Sequence, residues 1–394
     1  MKTNGLFRPL ALLALFACSP LEPACGGITQ NRGEEVGEPD APTEISIVQI
    51  AGPFEFPWSI AFLPDGSTLV TERVGRLQLI QHGMAPSEIA GIPSILNDDQ
   101  AGLLDVAVDP AFGENRTVYL SYVHGTTSSS AVRVLKARLD QASLRLTEHQ
   151  VIFESAPGTI TKLFGGRIAV THDGYLFLTL GERWQPERAQ DLSKNAGKII
   201  RIRTDGSVPQ DNPFISVPGA QPQIWTYGHR NPQGLAFDAR TNKLWSHEHG
   251  PLGGDELNLI LPGRNYGWPV ITYGLDYSGK PIGEGAAKEG MEQPFHFWPA
   301  AIAPSGLAIE STGDITVFWI TALAGRALVR LEMEHGRIVR EHRLLQNKFG
   351  RIRDVRISPD GLLYMITDSS GGALYRLESI VEQASRHRSS RRRL

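Results

Sequence analysis

Cysteine is almost absent from this 394-residue chain, which contains two, Cys18 and Cys25, both close to its start. The rest of the chain has no disulfide framework, so its fold must be held by a hydrophobic core or by a metal, and a chain this long can bury such a core. A charge excess is also lacking, because 39 basic and 42 acidic residues leave a net charge of −3. That balance argues against nucleic acid as the main partner.

Long apolar runs are lacking too. Residues 10–17 form a short one, which follows Lys2 and Arg8, ends at Cys18 and is too short to span a bilayer. This order is typical of an export signal. Residues 15–18 resemble a bacterial lipobox, with Cys18 as the lipidated first residue of the mature chain, although Phe16 is bulky for that motif. An ordinary cleaved signal peptide is the alternative, and both interpretations predict an exported, periplasmic protein whose membrane contact is limited to a lipid anchor at Cys18.

Composition divides the chain into four parts. Residues 1–18 are predicted as the signal peptide, and residues 19–43, rich in proline, glycine and acidic side chains, as a solvated linker. Residues 44–379 form the folded body. Residues 380–394 are a basic tail, for which disorder is the favoured interpretation and contact with anionic lipid or a partner the alternative.

What the body does contain is a repeated pattern. Six segments, starting at residues 58, 104, 167, 233, 306 and 353, show an alternating apolar strand, a turn with Asp, Asn or Gly, and a second strand. Each is typical of a β-hairpin. Because one four-stranded blade cannot bury both faces alone, the spacing predicts an all-β, six-bladed β-propeller, with independent hairpin domains as the alternative. Binding loops are expected in the three longest gaps, between residues 104 and 306.

The densest polar stretch lies between residues 227 and 277. Glycines on both sides of Pro251 allow the backbone to turn carbonyl oxygens inward, and Asp255 and Glu256 add two carboxylates. Oxygen ligands of this kind suit calcium rather than zinc. A polar turn with a solvated acidic pair is the alternative.

Three arginines stand where they could bind an anion. Arg230 follows a tight turn near the inner end of a blade, where its guanidinium could clamp a carboxylate or stabilise an oxyanion. The alternative is a structural arginine that binds blade carbonyls. Strand alternation points Arg351 and Arg353 to one face, and two like charges there need an anion or an acid between them. Asp354 or another blade acid is the alternative partner.

Several motifs in order resemble those of the soluble PQQ-dependent aldose sugar dehydrogenases, the glucose/sorbosone dehydrogenase family. The resemblance covers residues 45–377. Its motifs are Asp-Gln-Ala-Gly-Leu-Leu-Asp105, Phe164-Gly-Gly-Arg167, Ala189-Gln-Asp-Leu192, Gly-His-Arg-Asn-Pro-Gln-Gly234, Glu-His-Gly-Pro251, Gly-Gly-Asp-Glu256, Asn-Tyr-Gly-Trp-Pro269, Ala-Pro-Ser-Gly306 and Arg-Ile-Arg-Asp354.

The resemblance implies a propeller that binds pyrroloquinoline quinone (PQQ) and calcium and oxidises the C1 hydroxyl of aldoses, with an electron acceptor that the sequence does not identify. The quinone-binding positions that it implies are Gln100, Arg230, Asn231, Tyr277, Arg351 and Arg353. The implied calcium ligands are the carbonyls of Gly250 and Pro251 beside the quinone, and Glu256 with the backbone of Tyr266 at a calcium site. Calcium would polarise the quinone carbonyl, and Arg230 would stabilise charge on the reduced ring.

The chain departs from that family at the residue before Phe164. The family has a histidine there that takes the substrate's hydroxyl proton, whereas this chain has Leu163, which cannot act as a base. Such a group contributes about 10²- to 10⁴-fold in rate. His172, expected at the outer end of a hairpin, and His229, expected to point away from Arg230, are not convincing substitutes.

A second departure is a shortened segment at residues 310–322, which is expected to clip blade five on the cofactor side. The two departures keep three functions open. The first is a calcium- and PQQ-dependent sugar dehydrogenase with weak turnover. The second is a noncatalytic envelope propeller that binds carbohydrate or quinone. The third is a propeller lactone hydrolase, for which the paired arginines would have no use.

Overall fold

The structure, a computed structural model, describes residues 43–382. The predicted signal peptide, the linker up to residue 42 and the tail from residue 383 lie outside the described residues. Among those described, no helix combines the length and the apolar character that crossing a membrane requires. Helical structure in the same range is limited to a turn of α-helix, α1 (Phe112–Asn115), and a 3-10 helix (Pro186–Ala189).

Six antiparallel sheets of four strands each form the blades. Blades one to three contain β2 (Pro57–Phe62), β3 (Thr68–Glu72), β4 (Arg76–Ile80), β5 (Ser87–Ile89), β6 (Leu103–Val108), β7 (Thr117–Thr126), β8 (Ser129–Asp140), β9 (Arg145–Glu154), β10 (Gly165–Val170), β11 (Tyr175–Leu180), β12 (Lys198–Arg203) and β13 (Ile224–Tyr227). Blades four and five contain β14 (Pro232–Asp238), β15 (Lys243–Glu248), β16 (Asp255–Ile260), β17 (His296–Trp298), β18 (Pro304–Thr312), β19 (Ile315–Ala322), β20 (Ala327–Glu334) and β21 (Arg337–Leu344). Blade six contains β22 (Ile352–Ile357), β23 (Leu363–Thr367), β24 (Ser370–Glu382) and, from the start of the described chain, β1 (Thr43–Glu55).

The six predicted hairpins are the inner two strands of the six blades. Each repeat begins in or next to an innermost strand, namely β2, β6, β10, β14, β18 or β22, and continues into the strand that pairs with it. The all-β, six-bladed propeller predicted from the sequence is therefore confirmed.

The ring is closed by the two ends of the described chain. Strand β1 pairs antiparallel with β24 and forms the outer strand of blade six. Because strands from both ends share one sheet, opening the ring breaks a whole ladder of backbone hydrogen bonds.

The hydrophobic core consists of six clusters, one between each pair of neighbouring blades. Between blades four and five, for example, Trp245 and Leu257 pack against Phe318 and Ile320. Between blades six and one, Ile366 packs with residues of β2 and β3. Since every blade buries both faces against its neighbours, the alternative of independent hairpin domains is excluded.

A single buried arginine holds the centre of the ring. The Arg167 guanidinium is 1% exposed and lies 4.2 Å above the ring of Trp58 in β2. It contacts Asp105 of β6 at 3.1 Å and Asp354 of β22 at 3.3 Å. It also donates to the carbonyls of Gln233 in β14 and of Ser305 in β18. Arg167, itself in β10, thus touches the other five inner strands.

The two ends of the channel differ. The later halves of the six inner strands line an apolar cavity of about 330 Å³, which includes Arg356. The inner strands begin at the opposite end, and the loops gathered there form what we call the mouth. Three of these loops, residues 155–164, 181–197 and 261–295, lie within the long gaps where binding loops were predicted.

Candidate active site

Arg230 lies at the mouth, directly before β14. Its side chain donates to the carbonyl oxygens of His249 at 3.1 Å and Gly250 at 2.9 Å, and to the hydroxyl of Tyr277 at 3.2 Å. The residue is 5% exposed, and no carboxylate in the described part of the chain forms an ion pair with its guanidinium. Burying a cation without a counter-ion is costly, so this position favours an anionic ligand.

Glu248 fixes the backbone of this turn. Its carboxylate accepts the Arg230 N–H at 2.6 Å and contacts Nδ1 of His229 at 2.8 Å. The other ring nitrogen of His229 pairs with the Thr226 hydroxyl at 2.9 Å, and the ring stacks on Tyr266 with centroids 4.6 Å apart. His229 is fully buried with both nitrogens engaged, so it cannot reach a ligand at the mouth.

Arg351 and Arg353 converge, as strand alternation predicted, and an acid lies between them. Both guanidinium groups contact Asp368 at 2.9 Å. Arg351 is about half exposed, whereas Arg353 is buried, and burial lowers the pKa of Arg353 while Asp368 acts in the opposite direction. The Nε of Arg353 is buried with no hydrogen-bond partner among the described residues. One acid shared by two cations leaves net positive charge at this edge of the mouth.

Leu163 lies in the loop between β9 and β10 and is 5% exposed. Its backbone has a φ of 53°, in the left-handed region where leucine is unusual and His, Asn and Asp are enriched. The amide of Leu163 donates to Oε1 of Gln100 at 2.9 Å, and Oδ1 of Asn231 accepts the Gly165 N–H at 3.3 Å. Gln100 and Asn231 therefore hold the loop that carries Leu163.

His172 is not near this group. It is exposed and lies in the turn between β10 and β11, at the end of an inner strand that starts at the mouth. Its position at the far end of the hairpin agrees with the prediction.

The predicted calcium ligands do not all have free oxygens. The Gly250 carbonyl accepts from Arg230, and Asp255 binds three backbone N–H groups, those of Gly250, Ile302 and Ala303. Asp255 is thus a structural acid. Glu256, by contrast, accepts one side-chain hydrogen bond, from Asn258 at 3.2 Å.

Behind Arg230 lies a small cavity of about 10 Å³, close to the space that one water needs. Glu248, Glu256, Tyr266 and Trp268 are among the residues that line it. Burial, and next the neighbouring Glu248, raise the pKa of Glu256 to about 8.

The donor set at this cavity fits a hard cation. The two carboxylates of Glu248 and Glu256 come close enough for Nδ2 of Asn258 to contact both, at 3.5 Å and 3.2 Å. Within residues 43–382 no three His, Cys, Asp or Glu side chains converge to hold a metal. A cation here would therefore need carbonyl and amide oxygens besides the two carboxylates, which is the ligand mixture typical of calcium.

Three comparisons with known proteins bear on this arrangement. The sequence profile of the family described as "Glucose / Sorbosone dehydrogenase" matches residues 54–376. The chain is 39% identical over 347 residues to the aldose sugar dehydrogenase YliI of Escherichia coli strain K12, with 86% of this chain and 94% of that protein covered. The chain belongs to the glucose/sorbosone dehydrogenase family.

Solved structures support the same family assignment. A crystal structure of a glucose dehydrogenase is 43% identical to the chain and superposes with a TM-score of 0.82, covering 85% of this chain and 99% of that one. The PQQ-bound aldose sugar dehydrogenase of Streptomyces coelicolor is 28% identical, with a TM-score of 0.72, and covers 86% and 99%. The resemblance stated from the sequence motifs is therefore confirmed.

The segment expected to be shortened, residues 310–322, spans the length of blade five. Strand β18 starts at the mouth with Pro304, whose carbonyl pairs with Nε2 of His249 at 2.8 Å. The turn between β18 and β19 lies nine residues on, beside Asp238 of blade four, whose carboxylate accepts the Ser311 hydroxyl at 2.8 Å. Residues 310–322 run from that turn back to the mouth, where Ala322 pairs with Pro304, so the expectation that blade five is clipped on the cofactor side stays a prediction.

Sequence reasoning selected none of four further residues at the mouth as site residues, although Glu248 begins one of the motifs quoted for the family resemblance. Asp368 and Glu248 are acids at the ends of strands β23 and β15, where loops gather. Glu182 and Trp184 follow β11 in a gap already expected to carry binding loops. Burial raises the pKa of Glu182 to about 7, and its N–H donates to the Arg230 carbonyl at 2.9 Å.

Proposed function

We propose that this protein oxidises aldose sugars at the C1 hydroxyl to the lactone, with PQQ and calcium as cofactors. The observation that carries the proposal is the buried Arg230 guanidinium, which has no carboxylate partner among the described residues and lies at the same mouth as Arg351 and Arg353. PQQ bears three carboxylates, so it supplies the charge that this cluster lacks. The relative from Escherichia coli is named an aldose sugar dehydrogenase, and the structure from Streptomyces coelicolor is PQQ-bound.

The arginines would hold the cofactor, and the loops around them would exclude water. Arg230, Arg351 and Arg353 would bind its carboxylates, with Tyr277 covering it from the loop after β16. Gln100 and Asn231 would keep the Leu163 loop in place through the hydrogen bonds that they already make. When bound, PQQ supplies the two-electron acceptor that takes the hydride from the sugar's C1.

Calcium fits the oxygen-rich region around Glu256. Glu256 and Glu248 provide carboxylates at the cavity behind Arg230. Gly250 and Pro251 would turn their carbonyls to a cation once Arg230 has an anionic ligand to bind. A bound cation there would remove the proton that burial holds on Glu256.

The proton of the C1 hydroxyl needs an acceptor other than Leu163. Glu182 is our candidate, because it lies between two of the mouth segments. Its N–H binds the Arg230 carbonyl, and the preceding Gly181 packs so closely that a Cβ would lie 2.1 Å from the Leu163 carbonyl oxygen. A carboxyl whose pKa lies near 7 is suited to accept a proton at neutral pH.

A noncatalytic propeller that binds quinone or carbohydrate is the second candidate, and Leu163 is the observation that favours it. Either protein would act outside the cytoplasm if the predicted export signal is used, with Cys18 as its lipid anchor. Small aldoses remain the proposed ligands in both cases.

One assay separates the candidates. Purified protein is incubated with calcium and PQQ, and dye reduction is followed with a panel of aldoses, beside Glu182→Gln. We expect slow, PQQ-dependent turnover that rises through about pH 7 in the wild type, because the ionised carboxylate is the base, and that limb should be missing in the variant. Quinone binding with no turnover on any aldose would favour the noncatalytic propeller, and absence of quinone binding would refute the cofactor assignment.

A further inference from the structure

An aromatic pair is exposed at the mouth between the Leu163 loop and Arg230. The rings of Trp184 and Tyr277 are nearly parallel, at 4°, with centroids 6.0 Å apart. The two residues are 47% and 62% exposed. Tyr277 accepts a hydrogen bond from Arg230, and Nζ of Lys162 lies 6.0 Å from the Trp184 ring. The pair therefore spans the space over the proposed reaction centre.

Trp184 is held in an unfavourable backbone conformation. Arg183 and Trp184 are consecutive residues with φ of 61° and 59°, in the left-handed region that bulky residues rarely adopt. Strain of this kind persists where surrounding contacts enforce it, and it clusters at functional sites.

The contacts that enforce it come from Arg183. Its buried guanidinium binds the carbonyl of Ile160, donates to the carbonyl and the hydroxyl of Ser130, and lies 4.0 Å from the Phe164 ring. No carboxylate in residues 43–382 forms an ion pair with it, and burial lowers the pKa of Arg183 to about 10. The buried Arg183 guanidinium therefore stabilises this loop.

A second buried cation fixes the other half of the same loop. Lys198 is fully buried, and its ammonium donates to the carbonyls of Arg188, Ala189 and Ala196 at 2.8 to 3.0 Å. Three carbonyls match the three protons of an ammonium group. The loop of residues 181–197 is thereby tied down at both ends while one large aromatic side chain is left facing outward.

We propose that Trp184, extended by Tyr277, is the surface on which the sugar ring stacks, and that it selects aldoses in pyranose form. This inference rests on the proposed function and names the residue that orients its substrate. The electron-rich indole face attracts the partly positive C–H hydrogens of a pyranose ring. Lys162, paired with Asp99 at 3.5 Å, provides polar groups for the hydroxyls at the edge of that ring.

The direct test measures sugar binding without turnover. Methyl β-D-glucopyranoside, whose blocked C1 hydroxyl cannot be oxidised, is titrated into PQQ- and calcium-loaded protein and followed by saturation-transfer NMR. Trp184→Ala should weaken binding roughly five- to tenfold, and Trp184→Phe should keep it within about twofold. Met84→Ala, which removes another exposed side chain from the turn after β4, is the matched control and should change nothing.

A parallel PQQ titration separates this inference from the proposed function. We expect Trp184→Ala to bind PQQ as the wild type does and, with reactive aldoses, to raise KM while kcat changes little. Unchanged glucoside binding in Trp184→Ala, or a loss of PQQ affinity equal to the loss of sugar affinity, would overturn the inference. Failure of the wild type to bind PQQ while it binds the glucoside would instead overturn the proposed cofactor.

Discussion

Two buried arginines, Arg167 in the channel and Arg230 at the mouth, meet opposite electrostatic surroundings. Arg167 faces two carboxylates, Asp105 and Asp354, and donates to carbonyls of two further strands. Arg230 donates to two carbonyls and a phenol, and no carboxylate in the described chain pairs with it. The charge of Arg167 is neutralised by residues of the fold itself. The charge of Arg230 is left for a ligand from outside the chain to neutralise.

The difference teaches how to distinguish structural from functional charges in this propeller. A buried cation with complete counter-ions stabilises the chain that supplies them. Removing one partner leaves an unpaired buried charge, which greatly lowers the stability of the fold. A buried cation without a counter-ion costs stability, so its presence indicates selection for a ligand. Arg183 and Lys198 also lack carboxylate partners and, like Arg230, donate to backbone carbonyls, so Arg230 is distinguished by its position at the mouth as well.

The largest expected effect is on turnover, and it should come from Leu163→His at the mouth. His tolerates the left-handed φ of 53° better than leucine and adds a base at the position where the sequence resemblance implies a histidine. We expect kcat with aldoses to rise about 10²- to 10⁴-fold. Dye-reduction kinetics at saturating PQQ and calcium check this.

Leu163→Asn serves as the control for that substitution. It relieves the same backbone strain without supplying a base, so it should gain stability but little turnover. If Leu163→His binds PQQ normally and gains nothing, Leu163 is not at the base position.

The next effect should come at the hub, from Arg167→Met. This change leaves Asp105 and Asp354 in a buried site with Arg356 as the one cation that both contact, so the free energy of unfolding should fall by about 3–5 kcal/mol. Arg230→Met, which strands no acid, should cost less than about 1.5 kcal/mol, mostly for lost hydrogen bonds to carbonyls.

Urea unfolding of the two variants beside the wild type measures this contrast. Equal losses of stability in Arg167→Met and Arg230→Met would break the comparison, because both arginines would then be structural. If Arg167→Met fails to fold while Arg230→Met folds normally, that result agrees with the comparison.

The smallest effect concerns calcium and pH. The pKa of Glu256 is raised in the folded protein, so folding retains a proton there, and calcium-free stability should fall as pH rises from about 4.5 to about 8. Calcium replaces that proton, and its effect on Tm should therefore be larger at about pH 9 than at about pH 6. Glu256→Gln should remove the pH dependence of the calcium effect.

Thermal melts with calcium and with a chelator test this at both pH values. Glu88→Gln, an exposed substitution in β5, is the control and should behave as the wild type. A calcium effect that is equal at both pH values would contradict a site at Glu256.

The repeat pattern predicted the fold because hairpins are local. Each begins where an apolar alternation starts, as at Arg167 and Arg353, and the turn chemistry fixes the partner strand. The closure of the ring by β1 was not predicted, because β1 pairs with β24, more than 300 residues away. No local pattern in the sequence of β1 indicates that partner strand.

The sequence predicted which residues form the site better than it predicted the contacts that they make. Motif resemblance selected Arg230, Arg351 and Arg353, but it could not show that Asp368 lies between two of them or that Gly250 already accepts from Arg230. Those facts depend on which loops meet at the mouth. Trp184 escaped notice because no motif surrounds it, and its importance lies in a backbone conformation that composition does not reveal.

The most direct test of the central claim is a spectroscopic titration of PQQ into calcium-loaded wild type and Arg230→Met. Loss of a desolvated cation that faces a carboxylate costs about 2–5 kcal/mol. We therefore predict one bound PQQ per wild-type chain and an affinity at least about 30-fold weaker in Arg230→Met, with unfolding free energies that differ little. Equal affinity in the two proteins, or no binding to the wild type, would contradict the account.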